Sequence, residues 1–177
     1  TLSQIGLGYG FLFALEFRPW RDLWIALAAI LAAYWAAFAL WPVAPADFDH
    51  VRAGVSSEWL SVHGLSGFAT HWQKNSNLAW AFDTWFLNLF PHPKPFYFND
   101  GGYATLSFIP TLGTMIFGLM AGRVLRGDLT TPAKVLRLAV AGLGALAAGA
   151  LLGWLGVCPV VKRIWTPSWT LYSAGWC

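Results

Sequence analysis

Between His71 and Phe90 the chain reads HWQKNSNLAWAFDTWFLNLF, which sets an imidazole, an ammonium and three asparagine amides inside an aromatic run. Amide and ammonium groups can hydrogen-bond hydroxyls, carbonyls and carboxylates. The same residues also have a plainer use, because Asn75, Ser76 or Asn77 can cap the helix that follows. Two other polar points stand far away in the chain: Asp100 within Asn99-Asp100-Gly101-Gly102, and the adjacent cations Lys162 and Arg163. For that cation pair the available partners are a carboxylate such as Asp100, an anionic ligand group, or lipid phosphate. His71 shares a neighbourhood with Lys74 and Asn75, whereas His50, His63 and His92 stand in no triad or metal spacing. Cys158 and Cys177 belong to no CxxC pair or Cys/His cluster, so no metal site is expected.

The elements that must carry these groups follow from composition. The chain is 57% hydrophobic and only 11% charged, against about 25% charged in an ordinary soluble domain. Too little charge is present to clothe a water-exposed surface. Leu23 to Trp41 and Tyr103 to Gly122 are nearly free of charge, and Leu138 to Val157 has none. Each approaches the ~20 residues that cross a hydrocarbon core. The expected fold is all-α: one membrane domain over 1–177, a polytopic bundle of about five spans at 2–17, 22–41, 103–125, 134–157 and 164–177. The first and last spans read as cut through helices, as in an internal stretch of a larger protein, and nothing at the start resembles a signal peptide. Pro42 and Pro45 end the second span. Thr131, before Pro132, is the expected cap of the fourth.

Arg123, Arg126, Lys134 and Arg137 crowd one turn, and Arg18 and Arg21 another that alternation puts on the same side. The positive-inside bias makes that side cytoplasmic. Loop 42–102 then faces outward, periplasmic in a bacterial inner membrane, and Lys162 and Arg163 lie outward against the bias. Leu78, Phe82, Trp85, Phe86 and Leu89 recur at helical spacing, so 77–90 is expected to form an amphipathic helix on the membrane surface or over the bundle. Gly118/Gly122 and Gly149/Gly153 form GxxxG pairs that allow close helix packing. Trp20, Trp41, Trp154 and Trp165 sit near span ends as interface anchors.

Three stretches, HWQKNSNLAWAFDTWFLNLFP, FNDGGYATLSFIPTLGTMIFGLMAGRVLR and PVVKRIWTPSWTLYSAGW, together with the LSQIGLGY opening, resemble bacterial membrane proteins related to heparan-α-glucosaminide N-acetyltransferase. The resemblance runs along nearly the whole chain in the same order. It implies a membrane acyltransferase that takes acetyl from acetyl-CoA on the cytoplasmic side and delivers it to an amino sugar or glycan outside. It places Lys74, Asn75 and Asn77 at the outward mouth with Asp100, Lys162 and Arg163 nearby, and continues the wall through Trp165 and Ser168. The histidine linked to acetyl transfer in that family lies in an earlier region with no counterpart here, so no catalytic residue is assigned.

The alternative is a non-catalytic accessory subunit, packed by its helices in a larger membrane complex. The expected partners are the lipid bilayer, the glycan or amino-sugar acceptor, and a second copy or other subunits. The charge of +3 is small and dispersed and forms no nucleic-acid stripe.

Overall fold

The computed structural model describes residues 2–91 and 93–177; His92 lies outside the described residues. Among them every regular element is helical: α1 (Leu2–Glu16), α2 (Trp20–Ala39), α3 (Ser57–His63), α4 (Leu78–Phe86), α5 (Phe108–Arg126), α6 (Thr131–Trp154) and α7 (Pro167–Trp176), with short 3₁₀ turns at Gly67–Trp72, Leu87–Leu89 and Thr105–Ser107. Three stretches are long and apolar enough to cross a membrane: Trp20–Ala39, Thr105–Arg126 and Thr131–Trp154. The two expected outer spans are not among them. α1 has 15 residues and α7 has 10, about 22 Å and 15 Å at 1.5 Å per residue. The aromatic N-terminal segment forms its helix as anticipated; the last segment turns through a non-helical stretch before α7 begins at Pro167.

Thr131 is itself helical, a correction to its expected capping role. Thr130 precedes the helix in extended conformation without a side-chain cap bond, and Pro132 lies in the first turn, where its missing amide costs nothing. The third span likewise starts later than expected. Gly101-Gly102 leads into a 3₁₀ turn, and the α-helix proper begins at Phe108.

Two clusters hold the bundle. Leu23 and Leu27 of α2 pack with Leu112, Ile116 and Met120 of α5. Further along α2, Tyr34 and Phe38 meet Trp72, Ala79, Cys158 and Ile164. Phe38 stacks on Trp72 with ring centroids 6.2 Å apart and planes 4° off parallel. The Tyr34 hydroxyl donates to the Ile164 carbonyl at 2.8 Å. The C-terminal half of α2 therefore anchors both the 42–102 loop and the segment before α7. At the opposite end Arg123 donates from Nη1 to the Arg18 carbonyl at 2.8 Å and from Nη2 to the Leu15 and Glu16 carbonyls, while Arg126 pairs with Glu16 at 3.3 Å. The two arginine-bearing turns thus occupy one end of the bundle.

The two GxxxG pairs have different surroundings. A methyl group at Gly149 would lie 2.6 Å from both the Ser168 carbonyl oxygen and the Tyr172 amide nitrogen, so α7 crosses α6 at backbone distance there. Gly153 meets Val160, but Gly118 and Gly122 face open space. Among the described residues only the second pair packs against another segment.

Helix α4 begins where the amphipathic helix was expected. Asn77 is the residue that caps it, its Oδ1 accepting from the Trp80 amide at 3.1 Å. Its burial departs from a simple amphipathic helix: Ala79 and Asp83 are buried and Leu78, Phe82 and Phe86 half-buried, whereas Trp85, and Leu89 and Phe90 beyond the helix end, are more than half exposed. Asp83 turns inward because it accepts from the Thr105 amide at 2.9 and 3.2 Å, tying α4 to the start of the third span. Burial pushes its carboxyl above the ordinary aspartate value, and the Thr105 hydrogen bonds oppose that rise. A raised folded value means that its stabilising contribution is present below the unfolded value and is lost as pH rises through the folded one. Asp83→Asn, fixed in the neutral form, is expected to remove that pH-dependent loss. Asp83→Ala leaves the Thr105 amide unpaired and is expected to cost about 1–3 kcal/mol. Thermal unfolding in detergent between mildly acidic and neutral pH measures both.

Candidate functional site

The three polar sequence blocks converge at the end of the bundle opposite the arginine turns. The Asn75 amide donates to the Ala53 carbonyl at 2.8 Å and to the Asn99 carbonyl at 3.2 Å, joining the HWQKNSN and NDGG stretches. Asn75 adopts φ 50°, a left-handed conformation that asparagine tolerates well. Gly102, at φ +71°, lets the Lys74 stem pass, since a Cβ there would press within 3.1 Å of Lys74 Cγ. The Asn77 amide donates to the Gln73 carbonyl at 2.8 Å. From the third block, Trp165 Nε1 donates to Thr114 Oγ1 of α5 at 3.0 Å, and Thr170 Oγ1 to the Pro110 carbonyl at 3.4 Å.

This geometry divides the eight residues expected at the mouth. Asn75, Asn77 and Ser168 are buried, and their donors are used within the protein. Ser168 Oγ donates to the Pro159 carbonyl at 2.7 Å and contacts Thr166 Oγ1 at 3.1 Å. The hollow among Asn75, Asn77, Asp83 and Tyr103 has about 10 Å³, room for roughly one water and no substrate. Asn75→Ala, which removes two buried hydrogen bonds, is therefore expected to lower stability by about 1–3 kcal/mol. A shift in thermal midpoint, rather than in activity alone, is the diagnostic reading.

The charged members remain accessible. Asp100, Lys162 and Arg163 are exposed and Lys74 is half-buried. Burial first, and the nearby Arg163 guanidinium second, push the Lys74 ammonium below its ordinary value, while Asp100 works in the opposite direction. Among the described residues the ion pairs within 4 Å are Arg21–Asp22 and Glu16–Arg126. The expected pairing of Asp100 with Lys162 or Arg163 does not form at that distance. The lysines rest instead over indole rings: Lys74 Nζ lies 5.2 Å from the Trp59 ring centroid and Lys162 Nζ 6.0 Å from that of Trp169. Such contacts hold an ammonium without neutralising it.

Trp165 is half-buried at φ 53°, a conformation that costs a bulky residue about 1–3 kcal/mol. It heads a ladder of rings down α7: Trp165 to Trp169 at 6.3 Å, Trp169 to Tyr172 at 6.1 Å, and Tyr172 to Trp176 at 6.4 Å. Trp169 Nε1 is buried without a partner. Trp169 and Tyr172 were not among the expected site residues, although the four-three-four spacing of rings in WTPSWTLYSAGW marks one helix face. Ser168 lies off this ladder, against Pro159.

No grouping of three or more His, Cys, Asp or Glu side chains suited to a metal ion occurs among the described residues. Compared with protein-family models, curated proteins and solved structures, the chain gives no significant match.

Proposed function

We propose that this chain belongs to a membrane-embedded acyltransferase that passes acetyl from acetyl-CoA to the amine of a sugar or glycan at the Lys74–Arg163 end. The observation that carries the reading is the convergence of three sequence-distant blocks around cations with no carboxylate at ion-pair distance. In the reaction the acceptor nitrogen forms a bond to the acetyl carbon as the carbon–sulfur bond breaks. The amine proton goes to a base, and the departing thiolate takes up a proton. Lys74, Lys162 and Arg163 hold and orient the acceptor through its hydroxyl and anionic groups, with Asp100 facing its amine. The ring ladder of Trp165, Trp169, Tyr172 and Trp176 forms an apolar wall leading from that mouth toward the bilayer. At the other end Arg123 and Arg126 are engaged with the protein, and Arg18, Arg21 and Arg137 are exposed cations available to a polyanionic donor. The base is not assigned to a residue of this chain.

In this reading five helical segments enter the membrane, the arginine turns are cytoplasmic, and loop 42–102 is periplasmic in a bacterial inner membrane. Cations free of carboxylates on the outward side fit an anionic or polyol acceptor better than a purely structural loop.

The accessory-subunit alternative has its own support. Helix α6 exposes Val135, Leu136, Val140, Leu143 and Leu151, and Gly118 and Gly122 of α5 face open space. These surfaces suit lipid, a second copy or another subunit equally. The separating experiment supplies radiolabelled acetyl-CoA and glucosamine to the full-length protein in detergent. Labelled N-acetylglucosamine above the protein-free rate supports the enzyme. A folded, homogeneous protein that transfers nothing moves the accessory reading ahead.

A further inference from the structure

Three partners were open to Lys162 and Arg163: a carboxylate, an anionic ligand group or a lipid phosphate. Among the described residues no carboxylate lies within 4 Å of either cation, and both side chains are exposed. What adjoins them is apolar. Lys162 Nζ lies 6.0 Å from the Trp169 ring centroid, and Trp165 follows Arg163 by two residues. Trp169 is the second rung of the ladder that runs on through Tyr172 to Trp176. Trp165, Trp169 and Tyr172 are half-buried and Trp176 is exposed. Two cations without a carboxylate thus head a continuous strip of partly open rings.

The depth of this strip separates it from an anchoring belt, in which indole and phenol rings gather at the membrane–water interface. Helix α6 is long and apolar enough to cross a membrane. A Cβ at Gly149, near its outward end, would meet Ser168 and Tyr172, and one at Gly142, near its middle, would meet Gly175. Helix α7 therefore descends along α6, and its last ring stands about 10 Å below its first turn at 1.5 Å per residue. Trp176 is 71% exposed at that mid-helix level, away from the interface where an indole serves as an anchor. At the upper end Trp165 keeps φ 53° while its Nε1 donates to Thr114 Oγ1 at 3.0 Å. Backbone strain of this kind gathers at ligand clamps, and here it fixes the ring nearest the cations.

We propose that Lys162 and Arg163 bind the phosphate of a single-chain lipid phosphate, whose chain lies along the rings of Trp165, Trp169, Tyr172 and Trp176. The phosphate oxygens accept from the Lys162 ammonium and from the fork of the Arg163 guanidinium. The ladder is one ring wide, so it matches one chain and not the two of a bilayer phospholipid. The site follows from the cations and the rings alone. That its lipid carries the acceptor sugar rests on the acyltransferase reading, in which the bound phosphate sets that sugar near Lys74, the neighbour of Arg163.

The test is equilibrium binding of radiolabelled farnesyl phosphate to the full-length protein in phosphatidylcholine nanodiscs, with empty nanodiscs as the blank. Saturable binding is expected, with unlabelled farnesyl phosphate displacing the label at least tenfold more effectively than farnesol, inorganic phosphate or dioleoyl phosphatidic acid. The double variant Lys162→Ala/Arg163→Ala is expected to bind at least tenfold more weakly with a thermal midpoint near wild type, since neither side chain holds an ion pair. Trp176→Ala, at the exposed end of the ladder, is expected to weaken binding at least threefold. Absence of saturable binding, or wild-type binding by either variant, overturns the proposal. Equal displacement by farnesol or inorganic phosphate also overturns it, and equal displacement by phosphatidic acid reduces the strip to an ordinary anionic-lipid contact. Acetyl transfer to glucosamine without farnesyl phosphate binding removes this inference alone; binding without acetyl transfer removes the enzymatic reading and keeps the lipid site.

Discussion

Gly149→Leu is expected to separate α7 from α6 and to destabilise the protein by at least about 3 kcal/mol, the upper range for overpacking. Even the first carbon of a side chain at Gly149 would stand 2.6 Å from two backbone atoms of α7, the Ser168 carbonyl oxygen and the Tyr172 nitrogen. Neither atom can move without breaking a helical turn. A leucine therefore displaces α7 as a body, and with α7 go the Trp165–Thr114 bond and the ring ladder. A Cβ at Gly175 would likewise lie 2.5 Å from the Gly142 carbonyl oxygen. Gly118→Leu is the matched control, because that position meets nothing within 4 Å. It is expected to leave the thermal midpoint of the isolated protein near wild type and to act, if at all, on association with another helix. Thermal unfolding followed by gel filtration distinguishes the two; a Gly149→Leu protein as stable as wild type would refute the close packing of α6 and α7.

Under the proposed acyltransferase function, the second large effect is on transfer. Lys162→Ala and Arg163→Ala remove exposed cations that hold no carboxylate within ion-pair distance, so little folding energy depends on them. A hydrogen bond to a charged group contributes about 1.5–3 kcal/mol, so each substitution is expected to lower kcat/KM for the amino-sugar acceptor by roughly tenfold to a hundredfold. The effect should appear with the acceptor and not with acetyl-CoA, whose proposed approach is from the opposite end. Wild-type kcat/KM in both variants would remove these cations from the acceptor site. Asn75→Ala reads differently: any loss of activity there is expected to track a loss of stability.

How far the sequence foretold this arrangement depended on whether a feature was local. The charge-free runs foretold α2 and α6 within a few residues, because the length of an uncharged segment is a local property. Asn77 was one of three candidate caps, and only the geometry of the Trp80 amide distinguishes it from Asn75 and Ser76. The roles of Asn75 and Ser168 were not legible. Their partners, the Ala53, Asn99 and Pro159 carbonyls, come from other parts of the chain, and no spacing rule announces which amides the backbone will claim. Asp83 was hidden for the same reason, since its partner Thr105 lies beyond the intervening loop. The glycine pattern at Gly149 was legible as close packing, but the identical pattern at Gly118 was not separable from it by sequence. The Trp165–Trp176 ladder is a local feature, legible in the four-three-four spacing of its rings.

The most direct test places the full-length protein in oriented proteoliposomes, with radiolabelled acetyl-CoA on one side and glucosamine on the other. The account predicts labelled N-acetylglucosamine only when acetyl-CoA meets the arginine turns and glucosamine meets loop 42–102, with product on the loop side. Absence of transfer in both arrangements, or transfer only when both reactants share the arginine-turn side, would contradict it.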